Sequence, residues 1–589
     1  MFDSKRPTLL LTLSLLVCLW QSAALAQPDS SSSQSDAALL ANLSPVSDAM
    51  LRSPADKDWL LWRRTYDSQG FSPLDQVNRQ NVSQLSLAWR TELAPGPNMA
   101  TPLVHDGVMF LASTEDTVLA LDARSGNELW TYKHESNATP SARIGIALHG
   151  EKVLIPTQDL HVVALNSKSG AVLWDHEISA NATDLIPYAL RGAPLIANGI
   201  VIQGVTATMI PEGGFIVGLD INSGEELWRF HTVARPDGPG GNTWNNLPLA
   251  ERSGGSVWVP GSYEPALDLI YFGTAPTYDT GPLLKPVDIP GVTNDALYTN
   301  ATIALRPKTG ELVWYYQHMA NDQWDLDWVY ERQIIDLPVN GVSRRVIVTA
   351  GKMALYDALD AQTGEYLFSI DVGIQNVVTA IDPITGAKTL HPNATPNSEQ
   401  GHLICPFSNG GRNWQSAAVN PESKMLYLPL AEICMDTGPT TDQGGLLSTG
   451  VTLTPTPPLE SDGKFGRLQA INLETRQVAW DFREVVPPTS AVLATAGGLV
   501  FGGALDQSLK AFDDRNGDVL WQTDMGDIAA SFPITYSVDG KQYIAVVIGQ
   551  PTIHTNIWIG TVTGFLGQEN SPVHSLTREG AAIVVYALN

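Results

Sequence analysis

The chain is short of cysteine, with three among 589 residues, at Cys18, Cys405 and Cys434. No Cys-x-x-Cys-His occurs, so no covalent c-type haem is attached to it. Charged residues are also few, at 16%, and the basic ones are the scarcer kind: 35 Lys and Arg against 61 Asp and Glu, a net charge of −26. That balance argues against nucleic acid and anionic membrane surfaces as partners. Past the N-terminal segment, no stretch is long and apolar enough to cross a bilayer. Helical periodicity is sparse, while 50 Gly and 39 Pro punctuate many short apolar runs, the composition of an all-β chain.

The N-terminus pairs Lys5 and Arg6 with an apolar run from Leu9 to Leu16 and a small-residue end at Ala24-Leu-Ala26. This reads as a secretory signal over residues 1–26, cut before Gln27. Cys18 lies inside it without the preceding small residue a lipid anchor needs, so no membrane anchor is read. Residues 27–50, with Ser30 to Ser33, are polar and expected to be disordered. After cleavage only Cys405 and Cys434 remain, and in an oxidising compartment they read as a disulfide rather than a reactive pair.

Against this sparse background one phrase recurs. It runs from Ala120 to Trp130 (ALDARSGNELW), Ala164 to Trp174 (ALNSKSGAVLW), Gly218 to Trp228 (GLDINSGEELW) and Ala304 to Trp314 (ALRPKTGELVW). Weaker copies end at Phe368 and Trp480, and a good one ends at Trp521. Each reads as strand, tight turn, strand, with the turn supplied by a Ser/Thr-Gly or Asn-Gly pair. A hairpin cannot bury its own tryptophan, so neighbouring copies must stack, as in a β-propeller. The last residues, Val584 to Asn589, hold the first half of the phrase, and Asn81 to Trp89 holds a second half. Pairing of these terminal strands would complete a final blade and leave no open edge. The expected fold is an eight-bladed propeller over residues 51–589. The spacing is uneven, 44 residues from Trp130 to Trp174 but 112 from Phe368 to Trp480, so a ninth degenerate blade stays open.

Three segments outside the repeats narrow the reading. They are Tyr66 to Val82 after Asp58 to Arg63, Asn321 to Trp328 (NDQWDLDW), and Cys405 to Trp414 (CPFSNGGRNW) with Leu426 to Leu430 and Cys434-Met-Asp436. With the repeats, from about Asp58 to Asn589, they resemble the pyrroloquinoline quinone (PQQ) dependent alcohol dehydrogenases, the methanol/ethanol dehydrogenase superfamily of periplasmic quinoproteins. The resemblance implies a periplasmic enzyme that passes hydride from an alcohol to PQQ beside a bound Ca²⁺ or lanthanide ion. Electrons then leave to a separate soluble cytochrome c, a partner the acidic surface would steer if the cytochrome is basic.

By the same resemblance Asp325 is the catalytic base and a metal ligand, and Asp327 stands where lanthanide-using members carry an extra aspartate. A carboxylate beside a hard cation stays ionised and coordinates well. Arg143 resembles the arginine that pairs with a PQQ carboxylate, and Lys352 the cation beside the quinone oxygens. Asn413 and Trp414 match a pair that contacts the cofactor rim. Trp244 is the nearest candidate for the indole stacked under PQQ. The departures cluster at the same place. Ser136 to Thr139 lacks adjacent cysteines, Met99 replaces an expected glutamate, Met209 a metal-ligand glutamate, and Pro276 a ligand asparagine. A thioether is a poor ligand for a hard cation. Glu212 is the candidate to reach in instead. Two alternatives therefore stand beside an active dehydrogenase: a non-catalytic periplasmic propeller serving as a scaffold, and a protein that holds PQQ without metal. The loops Thr274 to Thr299 and Thr437 to Gly463 are expected to border the entrance.

Overall fold

The computed structural model describes residues 30–138, 141–180, 188–442, 447–550 and 552–589. The signal segment read over residues 1–26 lies outside the described residues. The fold is a β-propeller. Among the described residues, eight sheets are each built on four antiparallel strands, with smaller two- and three-stranded sheets inserted. The first of the eight runs in chain order as Leu103–His105, Val108–Ser113, Thr117–Asp122 and Glu128–Lys133. The inner strands of this sheet are buried along their length, and the outer strand alternates between exposed and half-buried. Inner strands are covered on both faces, which is why the repeats open on unbroken apolar runs.

The repeated tryptophan is explained by what it touches. Trp130, Trp174, Trp228 and Trp480 each donate an indole N–H to a carbonyl in the turn of the next repeat: Ser167, Ile221, Pro307 and Asp514. Each ring also lies flat on that turn's glycine: Gly170, Gly224, Gly310 and Gly517. Trp89 lies on Gly126 and Trp314 on Gly364 in the same way, and Trp521 donates to the carbonyl of Leu85. The weak copy follows the same rule. Phe368 leaves room at the next turn, where Arg476 replaces glycine and sets its guanidinium 4.0 Å from the ring centre.

A Cβ on Gly224 would stand 2.5 Å from the Trp174 ring, and its φ of +76° disfavours any L side chain. Gly224→Ala is expected to cost about 2–4 kcal/mol of stability in denaturant unfolding, from overpacking and backbone strain together. Arg476→Gly, at the equivalent turn under Phe368, is expected to change stability by less than about 1 kcal/mol.

The two ends of the chain meet. Strand Leu85–Glu92 pairs antiparallel with Ala582–Leu588 in the sheet that also holds Ile534–Val538 and Lys541–Ile548.

The segment expected to be disordered is ordered from residue 30 onward. Helix α1 spans Ser30–Asn42 and helix α2 spans Asp48–Arg52. Leu43, Val46 and Leu51 are buried, and Val46 bridges to Gly150. A polar clamp holds the segment down: the His105 ring contacts Asp58 at 3.1 Å and the carbonyl of Ser44 at 3.0 Å. The local composition is polar, but its few apolar residues find a surface made by the first two sheets.

Topology also places the loops. In each four-stranded sheet the connection from the outer strand to the next sheet and the loop after the second strand emerge at one end. The Gly-containing repeat turns emerge at the other. The first kind of loop varies in length and sequence, and it is there that the remaining polar residues gather.

Candidate active site

At that end a central cavity of about 250 Å³ is lined by Asp325, Asp327, Lys352, Tyr278, Trp258 and Arg191, with hydroxyl and amide groups from Thr206, Thr208, Ser256, Ser408 and Asn409. A second cavity of similar size shares Arg191, Trp258, Ile553 and His554 with it and reaches Met99, Ala142 and Trp414. Every one of these residues comes from an inter-sheet connection or a loop after a second strand.

The aspartates sit on a loop shaped by Asp322, whose carboxylate accepts from the backbone N–H groups of Trp324 (2.8 Å) and Leu326 (2.7 Å). The curl puts Asp325 in the left-handed region, at φ +62°, which Asp tolerates better than most residues. Behind the loop His318 stacks on Trp328 at 4.4 Å and contacts Asp357 at 2.8 Å. It supports the loop and lines no cavity.

Lys352 Nζ donates to Asp325 Oδ1 at 2.8 Å and to the Asp325 carbonyl at 2.9 Å, and lies 3.3 Å from Asp327 Oδ1. The Tyr278 hydroxyl donates to the same Asp325 Oδ1 at 3.0 Å, and Trp258 Nε1 to Asp327 Oδ2 at 3.2 Å. Burial pushes the Asp325 carboxyl well above the usual carboxylate range; Lys352 opposes the rise and Asp327 adds to it. Lys352 is raised: burial works against its charge, but the two carboxylates outweigh burial. Burial lowers the His554 imidazole to about 3, with Lys352 and Arg191 acting the same way, so the ring is neutral.

Among the described residues, Arg191 is the cavity cation without a carboxylate. Its guanidinium makes no ion pair or hydrogen bond to any described residue, and burial lowers its pKa. Arg143 is instead ion-paired with buried Asp116, and its neighbours Ala142 and Ile144 line the second cavity.

The structure thus brings Asp325, Asp327, Lys352 and Trp414 to one place. Asn413 stands behind, donating to the Asn409 carbonyl at 2.9 Å. Two expected residues are elsewhere. The Trp244 indole is buried in the core and donates to the Leu297 carbonyl at 2.5 Å; Trp258, in the same long connection, lines the cavity in its place. Glu212 is 49% exposed, within 3.8 Å of Arg235, and lines neither cavity. Met209 is at the surface, Pro276 gives way to Ala275 as a lining residue, and Met99 lines the second cavity.

Cys405 and Cys434 form a disulfide. Of the loops expected at the entrance, Thr274 to Thr299 supplies Tyr278, and its carbonyl accepts from the Ser448 backbone N–H of the other loop at 3.0 Å. Arg191, Tyr278, Trp258 and His554 carry no local motif. Their shared signal is position, on connections between repeats.

Several buried polar atoms of residues lining these cavities lack a hydrogen-bond partner among the described residues: Thr206 Oγ1, Asn409 Oδ1, Arg191 Nε and Trp414 Nε1. Such atoms are costly unless something polar meets them. Loops that bring together such atoms, two carboxylates and an arginine with no partner among the described residues suit a polar, anionic cofactor.

Comparison with known proteins agrees. The family described as PQQ: glucose/ethanol/alcohol dehydrogenase, beta-propeller domain, matches residues 59–373 and 379–544. Quinohemoprotein alcohol dehydrogenase ADH IIB of Pseudomonas putida is 30% identical over 570 residues, covering 92% of this chain and 80% of that protein. The dehydrogenase subunit of the quinone alcohol dehydrogenase of Komagataeibacter europaeus is 31% identical over 553 residues, covering 87% and 73%. Among solved structures, a europium-containing methanol dehydrogenase superposes with a TM-score of 0.81 at 26% identity, covering 92% of this chain and 99% of that one. The chain belongs to the PQQ-dependent alcohol dehydrogenase family.

Proposed function

We infer that this protein oxidises an alcohol in the periplasm with PQQ as hydride acceptor, and passes the electrons to a separate cytochrome c. The observation that carries the reading is the convergence of Asp325, Lys352 and Arg191 on one cavity whose lining holds orphaned polar atoms. These residues fit the cofactor: Arg191 and Lys352 offer cations to a carboxylated quinone, and Trp258 offers a flat indole. Asp325 and Asp327 would hold a hard cation, with neutral oxygens from Thr206, Ser256 and Asn409 in reach of the same space. The relatives named above include quinone and europium enzymes, which supports PQQ with Ca²⁺ or a lanthanide ion.

When bound, PQQ supplies the quinone that takes up the two electrons. The chain's own part is proton handling and positioning. Lys352 and Tyr278 both donate to Asp325 Oδ1, so Oδ2 is left to accept the hydroxyl proton of the substrate. Lys352 then places a fixed positive charge where negative charge develops on the reacting oxygens. Ile553 and Ile557 add apolar lining to the cavity.

We read the eight sheets as eight blades over residues 51–589, closed by the pairing of Leu85–Glu92 with Ala582–Leu588. The circuit of ring contacts from Trp89 round to Trp521 and Leu85 supports that count. A signal over residues 1–26 accounts for export.

The test is reconstitution of purified protein with PQQ and either Ca²⁺ or La³⁺, followed by dye-linked alcohol oxidation. Stoichiometric PQQ uptake and turnover are expected, and turnover with La³⁺ alone would support Asp325 and Asp327 as ligands of a trivalent ion. No uptake under either condition would leave a non-catalytic scaffold.

A further inference from the structure

The Trp258 indole and the His554 imidazole lie parallel within 9°, with ring centres 6.4 Å apart. Parallel rings in face-to-face contact have centres about 3.5–4 Å apart, whereas centres as far apart as about 7 Å mark rings displaced from one another. The two rings are therefore not stacked face to face, and their near-parallel faces border the same space. Both rings line both halves of the cavity, so the space between them is continuous with the space beside Asp325, Lys352 and Arg191.

We propose that His554 is the second wall of the slot that receives the PQQ ring system, facing Trp258 across it. The inference rests on the cofactor reading above and assigns a role to a residue outside the repeats, on the insertion that carries helix α3 (Ile553–Leu566).

Each wall is held in place independently. Trp258 is fixed by its N–H to Asp327 and by the edge of Tyr330, 5.5 Å away at 88°. His554 is fixed through its backbone. Its carbonyl accepts from Asn409 Nδ2 at 3.0 Å, and the Asn409 carbonyl in turn accepts from Asn413. Thr552 caps α3 by accepting from the Thr555 N–H, and Trp558 anchors the next turn in the core. The ring therefore projects from a rigid helix start, and its imidazole can be exchanged without disturbing what holds the backbone. Asn413 acts through Asn409 as a positioning residue for this wall.

The experiment is titration of the metal-loaded full-length protein with PQQ, followed by tryptophan fluorescence quenching, for the unaltered protein, His554→Ala, His554→Leu and His554→Phe. Near-ultraviolet circular dichroism verifies that each variant is folded. Loss of one aromatic stacking partner is expected to weaken PQQ binding about 3- to 10-fold in His554→Ala and His554→Leu, while His554→Phe stays within about 2-fold. Unaltered affinity in His554→Ala, or equal weakening in Phe and Leu, would overturn the wall while leaving the cofactor reading intact. Failure of the unaltered protein to take up PQQ would overturn both, and is seen in the first titration.

Discussion

Asp325→Asn is expected to lower the rate of alcohol oxidation by about 10²–10⁴-fold while leaving the fold and PQQ uptake intact. The substitution is well posed because of the local backbone. Asp325 sits at φ +62°, a conformation asparagine tolerates as readily as aspartate, so no strain is added. The amide oxygen can still accept from Lys352 and Tyr278, which hold Oδ1 now. The lysine keeps Asp327 as counter-charge, 3.3 Å away. What is lost is the second carboxylate oxygen, the only strong base that faces the cavity from this side chain. Metal content must be measured in the same preparation. Full metal and PQQ occupancy with lost turnover places the defect in proton transfer, whereas unchanged turnover would sink the assignment of Asp325 as base.

The repeats were legible because each is a complete physical statement in eleven residues. A tryptophan needs a flat neighbour, the neighbour is a turn glycine, and both recur at fixed offsets. Even the exception is consistent, since Phe368 faces Arg476 where the other rings face glycine. The aspartate loop was singled out by family resemblance in one short segment, NDQWDLDW, and packing places Asp325 and Asp327 of that segment at the cavity. The residues that complete the cavity were not. Arg191, Trp258 and His554 lie on connections of unequal length and meet only when the sheets are stacked. In the connection that carries Trp258, a second tryptophan, Trp244, is as prominent in sequence, and only packing distinguishes them: Trp244 turns its N–H to Leu297 and is buried in the core. The N-terminal segment misled for a related reason. Leu43 and Val46 are buried by residues of the first sheets, far along the chain, which local composition cannot register.

The two arginines give the sharpest separation between what sequence likeness suggests and what the packing supports. Arg191→Met is expected to weaken PQQ binding by about 10²–10³-fold, the cost of leaving a buried carboxylate of the cofactor without its cation. The same substitution is expected not to lower the stability of the cofactor-free protein, and to raise it if anything, because the guanidinium has no partner among the described residues and burial disfavours its charge. Arg143→Met should behave in the opposite sense. It strands Asp116 in the interior, where a broken buried pair costs about 3–5 kcal/mol, so thermal stability should fall. PQQ affinity, measured below the lowered melting point, should change little, since Arg143 does not line either cavity. Melting curves and PQQ titrations of the two variants therefore form a crossed pair. If instead Arg143→Met loses the cofactor and Arg191→Met keeps it, the anion partner is the arginine that sequence likeness points to. The Asp116 pair would then have to open when PQQ binds.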